Sequence, residues 1–162
     1  MNRRDAIKAG AALFASSGIL AACRTRPASS SRVLSDEDQV LAEEIADTLL
    51  PTTAGSPGAK AAGTGAAMNL ILSDCYKPED QRRVSEGLAR FRAEHFLELS
   101  RADRETFVRS VGKQPWFESV RDLALGAYSS SETGRTRALR YVRVPGKYVG
   151  CMPLEPGQPA WG

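Results

Sequence analysis

Histidine and cysteine are scarce in this chain, one and three among 162 residues, and their scarcity removes most routes to redox or metal chemistry. Iron–sulfur clusters typically take about four thiolates, and a zinc site needs a His/Cys ligand set that is missing here. No C-x-x-C-H for covalent haem occurs. Glycines are present, but Gly55, Gly58, Gly63 and Gly65 fall in a segment that joins two helical patterns rather than a strand and a helix. They read as turn residues and not as a dinucleotide fingerprint. No G-x-S-x-G supports a serine nucleophile. The sole histidine, His95, sits in the third helical pattern between Glu94 and Phe96, the setting of a surface or partly packed side chain. Carboxylate pairs such as Glu43-Glu44 read as solvated helix charges. Long apolar runs are also lacking: the stretch from about Ala9 to Ala22 is shorter than the roughly 20 residues that span a bilayer. The expectation is a chain with no catalytic, cofactor-binding or metal site of its own.

What is present begins with "MNRRDAIKAGAALFASSGILAAC". The Arg3-Arg4 pair, followed by Ile7 and Lys8, resembles the twin-arginine signals by which bacteria export folded proteins. Residues 1–22 then form a removable leader. Leu20-Ala21-Ala22-Cys23 matches a lipobox, which makes Cys23 a lipidated mature N-terminus; the alternative is ordinary cleavage near Ala21-Ala22 with Cys23 incidental. A lipid there anchors the chain without a spanning segment. Residues 23–33, including the serine-rich "RTRPASSSR", cannot bury themselves and read as a flexible tether. Export implies an oxidising compartment, the periplasm. Cys75 and Cys151 remain as one disulfide, whose long loop would stabilise by about 4 kcal/mol; the alternative is two unpaired buried thiols.

The formal charge of +3 falls to about +1 once Arg3, Arg4, Lys8 and Asp5 leave with the leader. Nothing in that balance points to nucleic acid. The cluster Arg135, Arg137, Arg140 and Arg143 is offset by acidic runs such as Asp36-Glu37-Asp38, and reads as a solvated or partner-facing surface.

About 130 residues remain after leader and tether, enough for one modest domain. Ser35 caps a first helix whose acidic first turn suits the helix dipole, with Leu34 as a staple. Val40, Leu41, Ile45 and Leu49 recur at helical spacing, and Pro51 ends the element. A Gly/Pro-rich loop leads to a second apolar segment, Ala66 to Tyr76. Pro78 starts a third helix with Val84, Leu88, Phe91 and Phe96 inward. Ser100 and Asp103 open a fourth, with Phe107, Val108 and Val111 inside, and Trp116 to Tyr128 make a fifth. The fold class is mainly α: a helical domain of about five helices over residues 34–128. Residues 129–162 form a long, irregular, Pro/Gly-rich tail with at most a turn near Ala138. Tyr141, Val142, Val144, Tyr148, Val149 and Trp161 on that tail need cover, either from the helices or from another protein.

Several stretches together resemble the gluconate 2-dehydrogenase subunit 3 family: "IADTLLPTTAGSPGAKAAG" (45–63), "LSDCY" (72–76), "GLARF" (87–91), "YSSSETG" (128–134) and "RYVRVPGKYVGCMP" (140–153). The resemblance implies a non-catalytic small subunit of an FAD-dependent sugar or polyol dehydrogenase of the glucose-methanol-choline type. FAD then lies in the large partner subunit, and haem c in a cytochrome c that often forms a third subunit. It also implies that the small subunit carries the export signal for the flavoprotein. The matching positions are Pro51, Thr52, Thr53, Pro57, Gly58, Ala59 and Gly63 in the first loop, then Tyr128, Ser129, Glu132 and Gly134, then Tyr141, Pro145, Gly146 and Tyr148. The tail group is expected to dock the large subunit; the first loop either docks too or only turns the chain. The Cys75–Cys151 bridge would tie the tail to the helices. The competing reading is a free-standing periplasmic lipoprotein that binds a small ligand between its helices.

Overall fold

The computed structural model describes residues 32–144, 146–147 and 149–161. Arg3, Arg4, Cys23, Pro145 and Tyr148 therefore lie outside the described residues.

Five α-helices follow in order, each begun by a local signal: α1 (Asp36–Leu49), α2 (Thr64–Cys75), α3 (Pro78–Ala93), α4 (Arg101–Val111) and α5 (Pro115–Ser130). Ser35 and Ser100 cap α1 and α4, their Oγ atoms accepting from Asp38 N at 3.1 Å and Asp103 N at 3.3 Å. Each satisfies a backbone donor that the first helical turn leaves free. Pro78 and Pro115 open α3 and α5, where the missing N–H costs nothing and the fixed φ is already helical. Gly63 enters α2 with φ 64°, a left-handed turn that a side chain disfavours. α1 stops at Leu49, with Leu50 out of the helical region at φ −130° and ψ 70° ahead of Pro51, as the proline favours.

The helices bury one continuous apolar core. α5 packs on α2 and α3, and α1 packs on α2 and reaches α3, α4 and α5. Two glycines permit the closest approaches. A Cβ on Gly65 would stand 2.7 Å from Glu43 Cβ on α1, and one on Gly87 would stand 2.6 Å from Val120 Cγ2 on α5. Phe91 is the aromatic centre: its ring meets Phe96 at 5.0 Å edge-on, Phe107 at 5.4 Å and Trp116 at 5.7 Å, the T-shaped geometry that ring quadrupoles favour. At the N-terminal end, the buried side chain of Asn69 grips the backbone of Leu34 at both ends, accepting from its N at 3.1 Å and donating to its O at 3.3 Å. That satisfied pair fixes Leu34, the residue that staples α1, inside the core.

Three expectations change. The third helix ends at Ala93, before His95. His95 adopts φ 50° and starts a 3-10 turn, Phe96–Glu98, so Phe96 reaches the core by reversal of the chain and not along the face of α3. The His95 ring is exposed, 3.2 Å from Glu98. Val40 is half exposed, off the buried stripe of Leu41, Ala42, Ile45 and Ala46. Helical order also continues past residue 128, to Ser130 and then through a π turn at Gly134–Ala138.

Because Phe91 is fully buried among four other aromatic rings, Phe91→Ala should lower unfolding free energy by about 3–5 kcal/mol. Chemical denaturation of the full chain reads this directly.

Candidate partner-docking surface

The loop between α1 and α2 is tied down residue by residue. Thr53 and Ser56 close a tight turn through paired backbone bonds, Thr53 N to Ser56 O at 2.8 Å and Ser56 N to Thr53 O at 3.4 Å. Gly58 N donates to Thr52 Oγ1 at 2.9 Å, Ala59 N to Leu50 O at 2.9 Å, and Lys60 N to Asp47 Oδ1 at 3.2 Å. Gly58 is there because nothing larger fits: a Cβ would lie 2.6 Å from Thr52 N. From α5, the Tyr128 hydroxyl donates to Pro57 O at 2.5 Å and stands 3.0 Å from Ser56 Oγ. The first loop and the "YSSSETG" stretch, far apart in sequence, thus meet at one hydroxyl.

Charge holds the other side of this loop. Glu44 on α1 accepts from Lys60 Nζ and, at 2.8 Å, from Arg104 Nη1. Arg104 in turn donates to Phe96 O at 3.0 Å and Leu97 O at 2.6 Å. Hydrogen bonding and attraction from Lys60, aided by Arg104, outweigh burial and hold the Glu44 carboxyl below its ordinary value of 4.5; Lys60, bonded to Glu44, is raised from 10.5. Lys60 is half exposed, so solvent screens its share.

The same tyrosine launches the tail. Tyr128 O accepts from Ser131 N at 3.1 Å and Ser131 Oγ at 2.7 Å, and Ser131 Oγ accepts from Gly134 N at 2.9 Å. A Cβ at Gly134 would fall 2.1 Å from Tyr128 O, so only glycine allows the π turn to start there. Beyond it the chain leaves the helices. Arg140 N donates to Ala160 O at 2.8 Å, and the Arg140 guanidinium lies over the Trp161 ring, 4.3 Å from its centroid. The described residues between 141 and 159 form an arm between those points. Of eleven exposed large hydrophobic residues among those described, seven lie on residues 141–161, with Leu154 at 84% and Val144 at 77% exposure. The tail's apolar side chains are therefore not covered by the helices.

The site residues expected from sequence divide by location. Gly58, Tyr128 and Gly134 are buried; they shape the surface and do not form it. Thr52, Thr53, Glu132, Tyr141 and Gly146 are exposed, and Pro51 and Pro57 are half-buried. Cys75 and Cys151 are free and exposed. The expected bridge is not formed, nor are the thiols buried: Cys75 ends α2, while Cys151 sits out on the arm. Glu44, read from the sequence as a solvated helix charge, is instead largely covered and bonded by Lys60 and Arg104; Arg104, Asn69 and Ser56 were not picked out by sequence reasoning, because their partners lie in other elements.

Two open grooves lie elsewhere among the described residues. One of about 430 Å³ runs beside Trp116, lined by Arg83, Glu86, Glu118, Ser119 and Asp122; a smaller one of about 130 Å³ lies beside His95 and Phe96. Among the described residues no group of three or more His, Cys, Asp or Glu could hold a metal, and no helix is long and apolar enough to cross a membrane.

The family model described as gluconate 2-dehydrogenase subunit 3 matches residues 36–146, more than half of the chain. No curated protein and no solved structure matches.

Tyr128→Phe removes the hydroxyl that holds Pro57 and should cost about 1–2 kcal/mol in denaturation, while leaving helix content unchanged by circular dichroism. For Glu44, whose folded value is depressed, the stabilisation is complete above pH 4.5 and is lost as pH falls through the lower folded value. Glu44→Gln should accordingly destabilise the chain at neutral pH and flatten the decline in stability on acidification below about pH 4.5.

Proposed function

The chain belongs to the gluconate 2-dehydrogenase subunit 3 family, and on that premise we propose that it is the non-catalytic small subunit of an FAD-dependent sugar or polyol dehydrogenase. The family is that of a subunit of a dehydrogenase complex, so a catalytic partner is implied. In our reading that partner is a flavoprotein of the glucose-methanol-choline type, which this chain escorts across the membrane with its own Arg3-Arg4 signal. The pair then resides in the periplasm, anchored by a lipid on Cys23, and passes electrons to a cytochrome c subunit carrying haem c.

The observation that carries the docking half of this proposal is the exposed apolar arm. Side chains such as Val144, Met152 and Leu154 stand in solvent, and such a concentration of exposed apolar residues on one segment marks an interface. Tyr141 and Gly146, together with Pro145 and Tyr148, supply contacts from the arm. Thr52, Thr53 and Glu132 form the exposed rim at its root. The buried members Gly58, Tyr128 and Gly134 act earlier, by setting where the rim and the arm emerge.

Deletion of Tyr141–Gly162 tests this. The truncated, tagged chain should keep its helical circular dichroism spectrum and lose the flavoprotein on capture from envelope extracts. Undiminished recovery of the flavoprotein would refute docking through the arm.

A further inference from the structure

We propose that the arm is a preformed basic and apolar loop, held shut by the Arg140–Trp161 clasp, and that it fits an acidic-rimmed apolar groove on the catalytic subunit. This rests on the docking reading above and gives that interface its chemistry.

The clasp has two components. The Arg140 N–H bonds Ala160 O at 2.8 Å, and the guanidinium stacks on Trp161 at 4.3 Å, a cation–π contact well within its effective range. The bridge between Arg140 and Trp161 is parallel. The intervening chain must therefore sweep round in a broad loop, because a tight hairpin would pair its ends antiparallel. Defined turns lie along the sweep. Gly146 and Gly157 take φ 73° and 76°, and Glu155-Pro156-Gly157-Gln158 closes with Gln158 N on Glu155 O at 3.1 Å. Proline in second place and a positive-φ glycine in third are what a type II turn requires.

Charge selects the partner. Between residues 134 and 161 stand Arg135, Arg137, Arg140, Arg143 and Lys147 against Glu155 alone. None of these five cations pairs with a carboxylate among the described residues, although eight salt bridges occur elsewhere. Arg143 and Lys147, interleaved with the arm's exposed Val, Met and Leu side chains, and Arg135 and Arg137 on the turn before it call for a surface that is apolar at its floor and acidic at its edge. The clasp contributes by ordering the loop before contact, which reduces the entropy lost on binding. An anionic membrane offers similar chemistry, but surface binding of that kind favours an amphipathic helix, and the arm is a turned, non-helical loop.

A double-mutant cycle on the full-length chain tests the clasp, read as the dissociation constant for the purified catalytic subunit. Arg140→Ala and Trp161→Ala should each weaken binding roughly five- to tenfold, and the double variant should be no weaker than the weaker single one. Arg143→Glu with Lys147→Glu should weaken binding further and reduce its sensitivity to salt. The thermal midpoint of the free chain should stay unchanged in all of them. Multiplying effects of Arg140→Ala and Trp161→Ala, or none, would overturn the clasp. Salt-insensitive binding, or wild-type chain that binds anionic vesicles while the charge-reversed pair keeps full affinity for the subunit, would overturn the acidic groove. In each of those cases removal of the whole arm would still release the catalytic subunit; only its retention would refute the docking reading itself.

Discussion

The Tyr128 hydroxyl donates to Pro57 O at 2.5 Å, and the carbonyl of the same residue accepts both the N–H and the hydroxyl of Ser131. One residue near the end of α5 thereby decides where the first loop lies and where the arm departs. The constraint is steric as well as polar, since Gly134 can approach Tyr128 O only without a Cβ. The opposite side of the loop depends on Glu44, which Lys60 and Arg104 hold from two directions. The contact between Glu44 and Arg104, both largely covered, is the costly one to break because each would remain desolvated, whereas solvent takes up the half-exposed Lys60.

The outcome is a division of labour within one small chain. The helices gather most of their apolar residues into the core around Phe91, whereas the arm keeps its apolar residues outside. A chain selected only for its own stability would have little use for Leu154 or Val144 in solvent, since burying such a side chain is worth about 1.5–3 kcal/mol. Their exposure makes sense when a second protein supplies the other half of the interface, as membership of a dehydrogenase subunit family implies.

Much of this was legible in the sequence where the physics is local. Ser35, Ser100, Pro78 and Pro51 each marked a helix end by capping or by backbone restriction, the apolar spacing from Trp116 marked the fifth helix, and the five helices follow. The tail was recognisable from its prolines, glycines and absent helical period. What escaped was long-range or conformational. The turn at His95 has a left-handed residue that is not glycine, so no local signal announces the end of α3. Asn69 lies in an apolar segment and finds its partner 35 residues upstream. Within the candidate site, the loop and the Tyr128 stretch were both singled out, but their junction spans 71 residues and no spacing rule reaches that far. The Cys75–Cys151 bridge was inferred from export and cysteine number, whereas the two thiols stand free and exposed; neither signal carries information on where the arm runs.

The most direct test of the central claim is to isolate the full chain, tagged at its C-terminus, from its native envelope and to record the absorption spectrum and protein content of what accompanies it. The account predicts a flavin spectrum and a large oxidoreductase in comparable amount. A colourless chain recovered alone under mild conditions would contradict it, and would favour a free-standing lipoprotein instead.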